Sequence, residues 1–521
     1  MASTYPVGAP ADCSYGGEFA QLKAVDELTV EFDLCYADPA FLAKVAFATN
    51  GIQDSDYLAA NMANQQILSR PNGTGPLRFE EYRPGDHVTL SRFDGYWGER
   101  AKAERLVIDA NPDAAGRLLA LRTGRVDGID SPAPADLATI AGDSTVKVLS
   151  RQALDTIYIG MSNMYAPFDQ EKVRQGLAMG IDRQRIVDTL FLAGSTLADY
   201  FTPCSVEFGC DGDPWYSFNK DAANALLDEA LGAGQRFSPH IYVPNAPLPY
   251  LPDPSAVATE LRTQLQENLG ITADIVRKEP GAFSDDLAHG LLDGIYLFGS
   301  VAHYPDPTDF LDPVFNSPAN ARFGTIDASI TSALQIGAQT FVAGPRHAAY
   351  AAANNAIRAN VPMIPITHAA SIIAIKADLA GVQASPFGRE DFSAMDPRGR
   401  STLEWVQTGS PNSLYCADQT DGETLRICEN VFETLYRYSA GGTTPIPALA
   451  TKCEPNPEAT VWTCTLRSGV TFHDGARLDA RDVVETFAVQ WDAAHPLHVG
   501  LTGRFEYWAR LFGAYLNAPS S

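Results

Sequence analysis

Eight cysteines fall along this chain as four pairs of sequence neighbours: Cys13 with Cys35, Cys204 with Cys210, Cys416 with Cys428, and Cys453 with Cys464. An even count at such spacing suggests disulfides, although eight thiols allow about a hundred connectivities and sequence alone does not choose among them. None of the spacings is C-x-x-C, and no histidine stands at zinc-finger distance from a pair, so structural bridges in an oxidising compartment are expected. Free cysteines in a reducing compartment are the alternative. The clearest pair is Cys453 with Cys464, because Pro455-Asn456-Pro457 reads as a turn and Thr460-Val461-Trp462-Thr463 as a strand, which lets the two thiols meet across a hairpin.

The 521 residues, 45% of them hydrophobic, suffice for two or three ordinary domains with cores of normal density. There are 63 acidic against 38 basic residues, a formal charge of −25, and no basic run. That excludes a nucleic-acid surface, which needs clustered Lys and Arg, and reads as a solubilising surface. No stretch approaches the ~18 apolar residues of a spanning helix; the best, around Ser371 to Ile375, is far shorter. The opening Met1-Ala2-Ser3-Thr4-Tyr5-Pro6 lacks the charged and apolar regions of a signal peptide, so an exported precursor is expected to have lost its leader.

Strand-like and helix-like segments alternate. Period-two patterns at 28–34, 88–93 and 462–466 predict half-buried strands, and amphipathic patterns predict helices at 113–123, 172–190, 221–231, 254–269, 345–359 and 480–491. The class expected is α/β or α+β with mixed sheets. No repeat of 20 to 50 residues is visible, which excludes solenoids and propellers.

The usual signatures of catalysis are missing: no H-E-x-x-H, G-x-S-x-G, P-loop or G-x-G-x-x-G. His473-Asp474 is the one local pair suggestive of acid/base work, and it lies in a turn. His495 and His498 are separated by a span containing Pro496, which spoils a helical metal site. Asn72-Gly73-Thr74 matches a glycosylation acceptor but reads more simply as a tight turn. No cofactor, no metal and no catalytic residue is expected, with a hydrolase as the alternative class.

From Leu403 the text runs through Glu404-Trp405-Val406-Gln407, Ser413-Leu414, Asp421-Gly422-Glu423-Thr424-Leu425-Arg426 and Val431-Phe432-Glu433-Thr434-Leu435. It goes on through Pro447 to Ala450 to Leu466-Arg467-Ser468-Gly469-Val470-Thr471-Phe472-His473-Asp474-Gly475 and Leu478 to Val484. This resembles the beginning of the peptide/nickel-type (family 5) solute-binding proteins of ABC importers. Segments similar to the family's later parts stand before it. They are Gly73-Thr74-Gly75-Pro76 with Tyr96-Trp97, Leu121 to Asp127, Pro167 to Asp169, Ala178 to Arg183, Tyr304-Pro305-Asp306-Pro307, Val361 to Ile366 and Pro386-Phe387-Gly388. The order is preserved if the chain is read as a circle, joined at Met395 to Ser401. The resemblance therefore implies a circularly permuted member.

What the resemblance implies is a two-lobed periplasmic-binding-protein-like fold (type II, with an extra subdomain). Residues 77–162 and 377–443 would form one lobe, 444–521 and 1–76 its subdomain, and 163–376 the other lobe. The implied function is extracytoplasmic capture of an oligopeptide-like ligand between the lobes by a monomer, without catalysis, and delivery to permease subunits of an ABC importer. An oligosaccharide or other small polar solute is the alternative. Contact with a membrane would come only through that partner or a removed anchor. Ligand-side loops in the family correspond to Asp418, Gln419, Thr420 and Asp421, and to Ser300, His303 and Tyr304, with Thr49, Asn50, Tyr158 and Asn163 as further contacts. Asp421 also reads as a helix cap. Ser300 and His303 stand where peptide binders of the family carry an aromatic residue and an amine-pairing Asp, and a neutral imidazole lacks the charge for that bond.

Overall fold

The computed structural model describes residues 4–152, 154–248 and 250–519. The chain divides into two compact units, one running up to Arg151 and resuming at Ser371, the other spanning Gln152–Ala370.

The first unit contains a mixed seven-stranded sheet in the order Leu77–Arg83, His87–Arg92, Arg105–Ala110, Thr402–Gln407, Gly128–Asp130, Ser371–Lys376, Val146–Arg151. Thr402–Gln407 lies parallel to both its neighbours. Leu403, Trp405 and Val406 on this central strand are fully buried, as its apolar content requires. Gly128 sits opposite Trp405, and a Cβ there would fall 2.0 Å from the indole, so the close approach of the two strands needs glycine.

A second sheet of the same unit has five strands, Thr4–Tyr5, Phe19–Asp26, Thr29–Leu34, Val461–Leu466 and Ala450–Pro455, so residues far apart in sequence pair directly. Helix Ala480–Trp491 packs on it, opened by Asp479 and Asp482 in a reciprocal capping box. Phe19, Phe32, Phe487, Trp491, Trp508 and Phe512 form its aromatic core, with ring centroids 4.8 to 6.2 Å apart.

The second unit is built on a six-stranded sheet in the order Thr196–Leu197, Met363–His368, Asp155–Met161, Ile295–Val301, His240–Pro244, Asp274–Lys278. The last three strands are parallel, and Asp155–Met161 runs antiparallel to both its neighbours. Because that strand lies inside this sheet, the unit begins at Gln152 rather than at 163. It ends at Ala370 rather than at 376 because Ser371–Lys376 pairs in the other unit with Val146–Arg151 and Gly128–Asp130.

All four cysteine pairs are bridged as sequence neighbours, and among the described residues no cysteine is free. Cys453 and Cys464 are direct cross-strand partners. The predicted helices 254–269 and 480–491 are seen with those ends. The single helix expected over 172–190 is two, Glu171–Gly180 and Arg183–Leu190. Ile181 turns to extended backbone and Asp182 caps the new helix by accepting from Arg185 N at 3.1 Å, a break that hydrophobic periodicity does not register. Among the described residues no helix is long and apolar enough to cross a membrane.

Candidate functional site

Three segments converge in the first unit: the short turn Ala48–Asn50, the turn Cys416–Asp418 with the start of helix Gly422–Val431, and the loop at 499–505. The Cys416–Cys428 bridge ties the turn to the helix that follows it. Asp418 is 3% exposed, and its carboxylate accepts from Thr502 N (2.5 Å), Thr502 Oγ1 (2.5 Å), Gly503 N (2.9 Å), Arg504 N (3.1 Å) and Phe505 N (3.2 Å). This carboxylate, expected to meet a ligand, is consumed in shaping a loop that the sequence reading missed. Nothing in the spacing of Val499 to Phe505 marks them as its partners.

Asp421 caps the helix, accepting from Thr424 N at 2.8 Å and from Asn412 Nδ2 at 3.2 Å. Its alternative reading as a helix N-terminus is therefore the observed one. Gln419 is buried and donates to the Asp418 carbonyl at 2.6 Å, while Thr420 is exposed. Thr49 and Asn50 are each 1% exposed; Asn50 Nδ2 donates to Lys44 O at 2.9 Å, but Thr49 Oγ1 and Asn50 Oδ1 have no hydrogen-bond partner among the described residues.

In the second unit the candidates gather at one end of the central strand pair, where Ser300 lies opposite Thr156. The His303 Nδ1 and Asp309 Oδ1 lie 3.0 Å apart, and the same carboxylate accepts from the backbone N–H groups of His303 and Tyr304. The Tyr304 hydroxyl is 3.1 Å from Thr308 Oγ1. Beneath this turn Asp306 accepts from Arg346 Nη2 with both oxygens at 2.9 Å. Tyr158 is fully buried two residues further along its strand.

Asn163 does not join this group. It lies past Met161, at the far end of the strand from Ser300, and its amide is spent on Thr325, donating to the carbonyl at 2.6 Å and accepting from the N–H at 2.9 Å. Two residues that the sequence reading passed over do join it: Tyr250, 6.1 Å from the Phe298 ring, and Arg322, whose guanidinium carbon lies 5.0 Å from the same ring centroid.

Burial governs the titrating groups at this end of the sheet. It pushes the Asp155 carboxyl up to about 7, against a hydrogen bond accepted from Ala369 N at 2.7 Å, and holds His368 down at about 4. In the first unit burial likewise lowers His473 to about 4. Its ring spans the Gly73 to Pro76 turn, Nδ1 accepting from Gly73 N at 3.3 Å and Nε2 standing 2.9 Å from Gly75 O. His473 is thus a clamp. The turn also fits only glycine, since a Cβ on Gly73 would lie 2.0 Å from Val431 O. Asn72, the residue of the glycosylation signature, is 5% exposed and donates to Asp54, which leaves no room for a glycan.

Among the described residues no group of three His, Cys, Asp or Glu side chains is arranged to hold a metal ion. His495 and His498 instead serve the local backbone: His495 Nδ1 accepts from Leu497 N, and His498 Nδ1 lies 2.7 Å from Val489 O.

Comparison with known proteins accords with this two-unit arrangement of mixed sheets. The peptide transport periplasmic protein SapA of Salmonella typhimurium is 25% identical over 389 residues, covering 72% of this chain and 69% of its own. The structure of HbpA2 from Haemophilus parasuis superposes with a TM-score of 0.67 at 27% identity, covering 73% of this chain and 75% of that one. A dipeptide-binding protein from Pseudoalteromonas sp. SM9913, in complex with Met-Leu, gives 0.57 at 25% identity, with 73% and 76% covered. These neighbours share the periplasmic-binding-protein fold. The family described as bacterial extracellular solute-binding proteins, family 5 middle, matches residues 4–322 and 444–501, well over half of the sequence. On that match, with the fold described above, this chain belongs to the family 5 bacterial extracellular solute-binding proteins.

Proposed function

We propose that this protein captures an oligopeptide-like solute outside the cytoplasm and delivers it to the permease of an ABC importer, without catalysing a reaction on it. The observation that carries this reading is the family match over 4–322 and 444–501. The peptide-transport relative and the Met-Leu complex support the solute class. Four disulfides support an oxidising compartment. Function in such a protein follows from a ligand stabilising one conformational state over another. His303, braced by Asp309 in place of a carboxylate that could pair with a free amine, favours a second reading in which the solute is an oligosaccharide or another small polar molecule.

Thermal unfolding of the oxidised protein against di- to pentapeptides, oligosaccharides and divalent metals tests this. A ligand at 100 times its dissociation constant adds about 2.7 kcal/mol. Stabilisation by peptides is the expected result; stabilisation by sugars alone would replace peptide with saccharide. Turnover of a panel member without stabilisation would overturn the non-enzymatic reading.

The order of segments is that of a permuted chain. Its support is that the motifs resembling the family's beginning occupy 403–484, behind those resembling its later parts, while 4–34 and 450–466 complete one sheet. The Tyr5 hydroxyl and the Asn517 amide both bond to Asp492, so a short linker can close the circle there. A chain opened between Arg400 and Ser401 and closed by a Gly/Ser linker from Ala518 to Thr4 is expected to melt within a few degrees of the original and to show the same ligand profile, because few contacts are cut. Failure of that chain to fold under oxidising conditions would sink the permutation.

A further inference from the structure

A cavity of about 500 Å³ lies in the first unit, and all its described lining residues belong to that unit. It is found at the carboxyl end of helix Gly422–Val431, among Cys428, Glu429, Phe432 and Glu433, whereas Asp418 and Asp421 stand at the amino end of the same helix. Ten helical residues separate the two places by about 15 Å. Of the turn Ala48–Asn50, only Ala48 lines the cavity. A volume of this size accepts a small organic molecule rather than a few waters.

Its walls are aromatic. Phe387 stacks on Tyr438 with ring centroids 4.2 Å apart, Tyr96 and Trp97 stand together at 5.4 Å, and all four are half-buried and line the cavity. The buried Glu433 fixes the second pair, accepting from the Tyr96 hydroxyl at 2.7 Å and from Trp97 Nε1 at 2.9 Å. Walls held in this way need little ordering when a ligand arrives. A second, independent observation comes from Arg389, another lining residue, which is 6% exposed. Its guanidinium lies over the rings of Phe47 and Phe387, 5.0 and 5.4 Å from their centroids. Glu429 Oε1 stands 2.8 Å from its Nε, but Nη2 has no hydrogen-bond partner among the described residues. A buried donor left unmatched is costly.

The charges that line the cavity are matched. Arg389 faces Glu429, Lys102 faces Glu99, Arg100 lies 3.5 Å from Asp94, and Arg437 lies 3.8 Å from Asp391. An ionic ligand would therefore bring in a charge with no counterpart, a carboxylate meeting Glu429 and an ammonium meeting Arg389. We propose that this cavity is a second binding site, for a neutral planar heterocycle of nucleobase size whose carbonyl accepts from Arg389 while the adjacent ring N–H donates to Glu429. Flat rings stack on aromatic walls whatever their substituents. A guanidinium beside a carboxylate presents donors next to an acceptor, the complement of a lactam edge. The site stands apart from the solute-binding reading, since it shares neither Asp418 nor Asp421 nor any described residue of the second unit.

The test is calorimetric titration of the full-length oxidised protein with inosine, 1-methylinosine, benzoate and benzylamine. Inosine carries the lactam edge, and 1-methylinosine lacks its N–H. Inosine is expected to bind about 10- to 100-fold tighter than 1-methylinosine, the contribution of one hydrogen bond to a charged acceptor. Phe387→Ala, which removes a wall, should weaken inosine about 5- to 50-fold. Arg389→Lys keeps the charge opposite Glu429 but loses the forked donors, and should weaken inosine about 3- to 10-fold. Unchanged far-ultraviolet circular dichroism confirms that each variant is folded, and the wild-type comparison needs no variant. Equal binding of the two nucleosides, tighter binding of benzoate or benzylamine than of inosine, or no binding of inosine overturns the proposal. So does an inosine affinity that both folded variants leave unchanged, which would place the nucleoside elsewhere on the protein. None of these outcomes decides the peptide reading, which unfolding in the presence of peptides tests separately.

Discussion

Replacing Asp418 by Ala lowers the stability of the first unit by about 3 to 5 kcal/mol. One carboxylate here receives four backbone N–H groups and one hydroxyl from Thr502 to Phe505. A hydrogen bond to a charged acceptor contributes about 1.5 to 3 kcal/mol. The full sum is not reached, because Thr502 and Arg504 are exposed and water replaces part of what is lost. Phe505 is buried, so its N–H regains little. Asp418→Asn preserves volume but sets an amide N–H₂ against donors, and it should lose most of the same energy, which separates charge from packing. The measurement is the denaturant midpoint together with amide exchange at 502–505. Unchanged exchange there in Asp418→Ala would refute the assignment of this carboxylate to the loop.

Arg151→Met costs a similar amount, about 3 to 5 kcal/mol, because removing one member of a buried charged group strands the others. Arg151 forks onto Glu390 at 2.8 and 3.0 Å and reaches Asp130 at 2.8 Å. Arg426 donates to Asp130 at 3.0 Å, to Gln407 at 3.0 Å and to the Gly388 carbonyl at 2.7 Å. Glu390 is fully buried, and its charge has no route to water.

The same network carries a pH signature. Burial pushes the Asp130 carboxyl upward, but Arg426 and Arg151 outweigh it and bring it down from 3.8 to about 2. A carboxylate whose folded value is depressed contributes stability above its unfolded value, and that contribution is lost as pH falls through the folded one. Asp130 thus supplies about 2 to 3 kcal/mol above pH ~4, disappearing toward pH ~2. The gap between wild type and Arg151→Met should be widest near neutrality and should narrow between those limits. A gap constant over that range in urea unfolding curves would remove Asp130 from the explanation.

Much of the local structure was legible because it depends on neighbours in sequence. The helices 254–269 and 480–491 announce themselves by Asp253 and Asp479 ahead of an apolar period, and capping acts within three residues. The Cys453–Cys464 bridge was readable because a hairpin places its partners opposite one another. The break at Ile181 was not readable, because periodicity continues across it.

The candidate site divides along the same line. Asp421 as a cap follows from its own helix. The role of Asp418 depends on a loop some 84 positions away, and that of Asp309 beneath His303 on how one turn folds back. Tyr158 and Phe298 stand 140 positions apart in numbering, and only strand pairing brings them together. By itself, then, the sequence determined the class of fold and the family, since these rest on short-range patterns and on motifs. Only the tertiary structure decided which carboxylates are consumed internally, because a charge's availability depends on everything packed around it, including residues that no local pattern connects to it.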